Sequence, residues 1–369
     1  MAKLKKIILA GFKSIKEMNL DLGSLTVLIG ANGAGKSNFI SFFKMLNEMM
    51  AKRLQQYIGI SGHAQSVLYF GPKVTPQMEA QLEFEVDNGL DKYIMRLIHA
   101  AGDTLVFADE SLIFHQTGLP RPKVLSLGSG HDETRIGQKA EEGEPTAKVF
   151  KRLLDYCRVY HFHDTSVTSR VRQYCYIGDN RWLMPDAGNL AAFLLRLRQE
   201  NNGTVYRRIV STIKLVAPFF DDFVLDPINS ISKDIILNWK EKASDQVFGP
   251  HQLSDGTLRA ICLIALLMQP EDELPSLIIV DEPELGLHPY ALNLIAALFK
   301  KVAHHTQVII STQSSSFLAN FDMEDLVVVD REGKESKFTK PDSKKLLAWL
   351  EEFNLGEVWE KNVIGGGPH

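Results

Sequence analysis

The stretch SLTVLIGANGAGKSNFISFFKML, residues 24–46, constrains the fold more than any other part of the chain. Its first seven residues form a short apolar run of the kind a strand buried on both faces needs, and FISFFKML repeats apolar residues every three or four positions, as one helix face does. Between them, Gly30 to Ser37 spell GxxxxGK[ST]. A glycine-rich turn between such a strand and helix curls backbone N–H groups around one point, which suits a phosphate. Gly30, Asn32, Gly33, Ala34, Gly35 and Asn38 are the expected cradle. Lys36 is expected to neutralise β- and γ-phosphate oxygens, and Ser37 to bind Mg²⁺.

The rest of the chain alternates strands and helices. Strands are expected at 4–10 and 16–22, three antiparallel strands over 78–116, and an exposed loop over the Gly-, Pro-, Ser- and Glu-rich residues 117–146. A buried strand at 157–164 precedes helices over 186–217. Next comes an alternating strand with Ile235, Leu237 and Trp239 on one face, and then an apolar helix opened by HQLSDGTLRA, residues 251–260. LIIVDEP, residues 277–283, reads as a buried strand ending in acids, followed by a helix from Pro289, the strand QVIIST, a short helix and the strand DLVVV. The order implies an α/β fold, with a mainly parallel core sheet, an antiparallel β attachment and a helical lobe. As one domain over 1–369, it has its nucleotide-binding core at 1–50 and 270–335, the attachment at 78–116, the loop at 117–146, the helical lobe at 165–260 and a C-terminal segment at 336–369.

Acids at the C-terminal end of a buried strand stand where α/β sheets bind ligands. Asp281 is expected to hold Mg²⁺ through a water, and Glu282 to orient or deprotonate an attacking water. Forty-one basic against forty-five acidic residues give a net charge of −4, so charge gives no support to a nucleic-acid surface. Cys157, Cys175 and Cys262 are widely spaced and fit free thiols of a cytoplasmic protein. The longest uncharged apolar run, AICLIALLM at 260–268, is too short to cross a bilayer.

GANGAGKS, LSDGTLR, DEPELGLHP and ISTQSSSF, in this order, resemble the Walker A, signature, Walker B with D-loop, and switch segments of ABC-type P-loop ATPases. The RecF/SMC-like branch, which includes the ATPase parts of overcoming-lysogenization-defect nucleases, is the nearest likeness, and GFKSI resembles its opening segment. The resemblance implies an ABC-ATPase head of the AAA family, without a long coiled coil or a Toprim nuclease. It implies two copies closing head to tail around two ATP–Mg²⁺, with Ser254, Gly256 and the amides of their helix meeting the γ-phosphate held by the other copy's Lys36. Gln313 stands at a switch position that is histidine in most such proteins. It can donate a hydrogen bond there but cannot take up a proton, so slow or partner-stimulated hydrolysis is expected. Asp255 replaces a signature glycine. It either caps its own helix or repels the γ-phosphate.

Other readings stay open in the sequence. The loop that follows the core strand before the helical lobe makes His163 and Asp164 candidates for the Q-loop position, ahead of Gln65, Gln77 and Gln173. His161 and His163 share a strand face and are alternatively a metal pair. Lys13 is either an adenine or ribose contact or a solvated turn lysine. Arg170, Arg172, Arg196, Arg198, Arg207 and Arg208 form either a solvated helix surface or a nucleic-acid contact. Trp349, Phe353 and Trp359 either pack back on the core or dock a partner. The expected function is an ATP-hydrolysing switch that controls a separately encoded effector, for example a nuclease, in prokaryotic antiphage defence or DNA repair. The alternatives are a low-turnover ATP-sensing scaffold and a RecF-like DNA-binding repair ATPase.

Overall fold

The computed structural model describes residues 2–227, 233–342, 346 and 349–367. The chain, expected as one domain, divides into two compact units: residues 1–159, 275–279 and 306–369, and residues 160–274 and 280–305.

Among the described residues the first unit is built on two six-stranded sheets. The antiparallel one contains β1 (Lys3–Phe12), β2 (Ile15–Asp21), β4 (Gln77–Val86), β5 (Gly89–Ala100), β6 (Thr104–Gln116) and β7 (Lys123–Gly128), in the order β2-β1-β4-β5-β6-β7. The other contains β3 (Leu25–Ile29), β8 (Cys157–Tyr160), β14 (Leu277–Asp281), β15 (Gln307–Thr312), β16 (Leu326–Glu332) and β17 (Glu335–Thr339), in the order β17-β16-β3-β15-β14-β8. In it β15 and β16 flank β3 in parallel, and β17 is antiparallel to β16. Every residue of β3 is buried, as a parallel strand covered on both faces must be. Helix α1 (Lys36–Met50) buries Phe39, Phe42, Phe43, Leu46 and Met49, and Phe42 meets Phe12 of β1 edge-on at 5.8 Å between ring centroids. One apolar core therefore joins the glycine-loop helix to the antiparallel sheet. The short helices α2 (Leu54–Ile60) and α3 (His63–Val67) follow.

Two expectations need correction. The first two strands, assigned to the nucleotide-binding core, hydrogen-bond into the antiparallel sheet through β1 and β4. Residues 117–146 are not one exposed loop: they contain β7 and α4 (Ile136–Glu141), and α5 (Pro145–Asp155) begins within them. Leu127, Ile136 and Ala140 are buried. The anchor is polar. The Glu110 carboxylate, fully buried, accepts hydrogen bonds from Tyr93 Oη at 2.9 Å, His131 Nε2 at 2.9 Å, Thr134 Oγ1 and the Arg135 N–H. A network of that kind leaves no apolar period to read.

The second unit carries α6 (Leu190–Gln199), α7 (Thr204–Val216), α8 (Asp255–Leu267) and α9 (Pro289–Val302) with the short strands β9 (Cys175–Tyr176), β10 (Phe220–Val224), β11 (Asp234–Ile235), β12 (Asn238–Glu241) and β13 (Val247–Phe248). The expected strand over 234–239 is broken into β11 and β12, yet Ile235, Leu237 and Trp239 are all buried. Back in the first unit, α10 (Ser315–Leu318) follows β15, and α11 (Leu355–Glu360) follows β17. No helix among the described residues is long and apolar enough to cross a membrane, and all three cysteines are free.

Candidate functional site

In the first unit, the glycine loop leaves β3 and enters α1. Gly33 and Gly35 take φ of +80° and +120°, in the left-handed region that side chains avoid. At Gly35 a Cβ would stand 2.1 Å from Ser336 Oγ, so no larger residue fits. Helix α1 starts with no side-chain cap and no acid in its first turn. The N–H groups and positive dipole end of a fifteen-residue helix thus face the loop with no acid of the helix's own first turn competing for them. This fits an anion of phosphate type. Lys36 Nζ is turned onto the loop itself, donating to the Gly30 and Ala31 carbonyls at 2.5 and 3.1 Å. Asn32, Gly33 and Ser37 are exposed and Ala34 is buried beneath them. Asn38 donates to Ser14 Oγ at 2.6 Å, which ties the helix start to the β1–β2 turn.

Strand pairing brings Gln313, the expected switch residue, to the same place. Thr312, the last residue of β15, lies opposite Ile29, the last of β3. Gln313 and Gly30 therefore leave the sheet side by side. Lys13 in the β1–β2 turn has φ +49° and a pKa below the usual lysine value, chiefly through burial and secondarily through Lys44. It lines an open recess of about 400 Å³ with Asn38, Gln65, Phe70, Arg331 and Lys334. Three cations and no carboxylate line that recess among the described residues. Gln65, a weaker Q-loop candidate, lines this recess.

In the second unit, Asp281 and Glu282 line a cleft with Phe162, His163, Arg259 and Leu263. Glu282 holds φ +41°, an uncommon conformation for a residue with a side chain and one that concentrates at functional positions. His163 faces the same cleft, whereas Asp164 is exposed and accepts from Ser166 Oγ at 2.6 Å, which with the Ser166 N–H holds its carboxyl below the usual range. Gln77 sits on β4, and Gln173 bonds the Val167 carbonyl. The metal pair of His161 and His163 finds no third ligand: among the described residues no group of three His, Cys, Asp or Glu could hold an ion.

The signature segment belongs to the same unit. Ser254 caps α8 by accepting from the Thr257 N–H at 3.1 Å. A Cβ on Gly256 would lie 2.1 Å from the carbonyl of Gly286, so the signature and D-loop backbones touch. Asp255 neither caps the helix nor stands alone. It pairs at 2.8 Å with Arg172, whose guanidinium is buried and also donates to the carbonyls of Thr165, Pro250 and Leu253. Arg259 donates to the carbonyls of Phe162, Leu285 and His163 at 3.0, 3.0 and 2.7 Å. Two arginines thus knit the signature helix, the D-loop and the loop lining the acid cleft into one piece.

Arg259 and the pairing of Arg172 with Asp255 are not foreseen in the sequence. Arg259 is the one charge inside TLRAICLIALL, a run buried nearly all round, and a half-buried guanidinium needs several acceptors. The remaining arginines of the cluster are mostly engaged internally. Arg170 pairs with Asp186, Arg196 with Glu273 and Glu200, Arg198 with the Leu225 carbonyl, and Arg207 with the Asn202 carbonyl.

A family model described as "AAA ATPase domain" matches residues 2–98, and one described as "AAA domain, putative AbiEii toxin, Type IV TA system" matches residues 174–319. No curated protein matches the chain in sequence. Among solved structures, an Smc head bound to the C-winged helix domain of ScpA superposes with a TM-score of 0.61 at 17% identity, covering 94% of this chain and 99% of that one. The Pyrococcus furiosus Smc head with an extended coiled coil, bound to the C-terminal domain of ScpA, gives 0.60 at 15% identity, covering 95% and 99%. With the glycine loop leading from β3 into α1, the chain has the ABC/SMC-like P-loop fold of these heads, and two of its stretches match AAA ATPase models.

Proposed function

We propose that the chain is an ATP-driven switch. It binds ATP–Mg²⁺ at Gly30–Asn38, closes against a second copy of itself, and reopens on hydrolysis. The observation that carries the proposal is the start of α1: a helix N-terminus free of side-chain caps and acids, fed by two left-handed glycines and followed by Lys36 and Ser37. Lys36 exchanges the Gly30 and Ala31 carbonyls for phosphate oxygens when nucleotide enters. Mg²⁺, held by Ser37 and through water by Asp281, would supply charge neutralisation at the phosphates. Glu282 takes the proton of the attacking water as the bond between the γ-phosphorus and the β–γ bridging oxygen breaks, giving ADP and phosphate. Gln313 donates to the γ-phosphate, and Lys13 takes the ribose or base. Ser254 and Gly256 serve the site of the other copy, and Asp255, neutralised by Arg172, does not oppose this.

The output is control of a separately encoded effector, of which a nuclease in antiphage defence or DNA repair is one class. The ScpA-bound Smc heads are compatible with a head that recruits a protein partner. A DNA-binding repair ATPase is the weaker reading because most arginines of the helical lobe are already paired. Steady-state hydrolysis of the wild type against Glu282→Gln and Lys36→Ala tests the switch. Turnover lost in both, with nucleotide binding kept in Glu282→Gln and dimer accumulating on ATP addition, is the expected result. Binding without turnover in the wild type would leave a nucleotide-sensing scaffold instead.

A further inference from the structure

The segment from Asn354 to Gly367 touches the glycine loop and the chain after Gln313 in the first unit. Asn354 and Glu357 cap α11 reciprocally, at 3.1 and 2.9 Å, and Leu355, Val358 and Trp359 are buried. Gly356 lies so close to the chain at Ser315 that a Cβ there would stand 2.2 Å from the Ser315 carbonyl oxygen. Ser315 is two residues past Gln313 and opens α10. Ten residues further on, the Gly366 carbonyl accepts a hydrogen bond at 2.9 Å from the N–H of Ala31, the second residue of the glycine loop. The Asp330 carboxylate accepts from the Gly366 N–H at 3.4 Å, and Asn362 Oδ1 accepts from the Gly367 N–H at 3.2 Å.

Neither position accepts a Cβ without a shift of its neighbours. Gly366 has φ +65°, and a Cβ would meet Val328 Cγ1 at 2.8 Å, the Val329 carbonyl at 3.1 Å and Gly30 Cα at 3.6 Å. Gly30 is itself wedged against the Val329 carbonyl, at 2.1 Å from where a Cβ would be. The glycine loop is therefore seated between β16 and this segment.

We propose that residues 354–367 form a strap that positions the glycine loop at one end and the switch segment at the other. Gly366 and Asp330 act through Ala31 on nucleotide binding. Gly356 acts through Ser315 on the placing of Gln313, and so on turnover. The inference rests on the ATPase reading proposed above. It goes beyond that reading by giving two remote glycines separable kinetic roles, which a merely structural segment would not have.

The test measures fluorescent ATP-analogue binding, steady-state hydrolysis and thermal melting on the full chain. Gly366→Ala is expected to raise Kd about fivefold to tenfold, the loss of roughly one hydrogen bond's worth of loop placement, and Asp330→Asn to raise it less. Gly356→Ala is expected to lower kcat severalfold with Kd unchanged. Wild-type binding and turnover in all three variants would overturn the strap, as would parallel losses in Kd, kcat and melting temperature in both glycine variants. Should a glycine variant fail to fold, Asn362→Gly, which removes the Gly367 contact and keeps the left-handed backbone of φ +54°, must still raise Kd without lowering kcat or the strap fails. A wild type that neither binds nor hydrolyses ATP would instead sink the ATPase reading itself.

Discussion

At the scale of single residues, the signature segment turns on one pair. Arg172 is almost wholly buried while Asp255 is 63% exposed, so the two members of the pair differ in what their loss costs. Removing Asp255 exposes little and leaves Arg172 with its carbonyl acceptors. Asp255→Asn should therefore change stability by less than about 1 kcal/mol. Arg172→Ala strips the donor from three buried carbonyls and should cost about 3 kcal/mol. Arg172→Lys keeps the charge but not the planar fork, and should fall between. All three should leave ATP affinity of the monomer unchanged and weaken ATP-driven dimerisation in the same order, because what they disturb is the surface proposed to meet the second copy. Denaturant melts and size measurements with and without ATP read these outcomes. A variant in which dimerisation survives the loss of Arg172 would separate the pair from the switch.

At the scale of elements, strand β5 carries a pH-sensitive defect. Asp91 is 3% exposed and lies between Phe84 on β4 and Phe114 on β6, and burial pushes its carboxyl up to about 6. A carboxyl raised above its unfolded value favours the folded state fully at pH below that unfolded value, and the benefit is lost as pH rises through 6. Asp91→Asn should therefore stabilise the chain by roughly 2–3 kcal/mol near pH 7.5 and give little gain near pH 4. Equal gains at both pH values in urea melts would show that ionisation is not the cause. The alternation that made β4, β5 and β6 legible in the sequence is the same pattern that Asp91 interrupts. Where segments are held by polar contacts, as 131–136 is by Glu110, or by close backbone approach, as at Gly356 and Gly366, no period exists and the sequence is silent. The glycine loop was legible for the opposite reason: its chemistry needs particular residues at fixed spacing, strung along one continuous piece of chain. The partners of Arg172, Asp255 and Arg259 are not legible, since they lie up to 97 residues away.

At the scale of the whole molecule, the central question is whether one site is made by two copies. Lys36 belongs to the first unit and Ser254 to the second. If each phosphate site takes Lys36 from one copy and Ser254 from the other, Lys36→Ala and Ser254→Arg are each inactive, for different reasons. The first cannot hold the phosphates; the second binds ATP normally but presents a blocked face to its neighbour. Mixed in equal amounts, half of the dimers carry one copy of each variant. In such a dimer one site has both defects, and the other has neither. Hydrolysis in the mixture should therefore recover to about a quarter of the wild-type rate, the value expected for random pairing in a two-fold dimer. Recovery also requires that the isologous pairing put the two faces in register, so it tests geometry as well as stoichiometry. If the mixture stays as inactive as its components while both are folded and Ser254→Arg still binds ATP, the shared site is wrong. Asp255 and its arginine would then serve only to hold α8 in place.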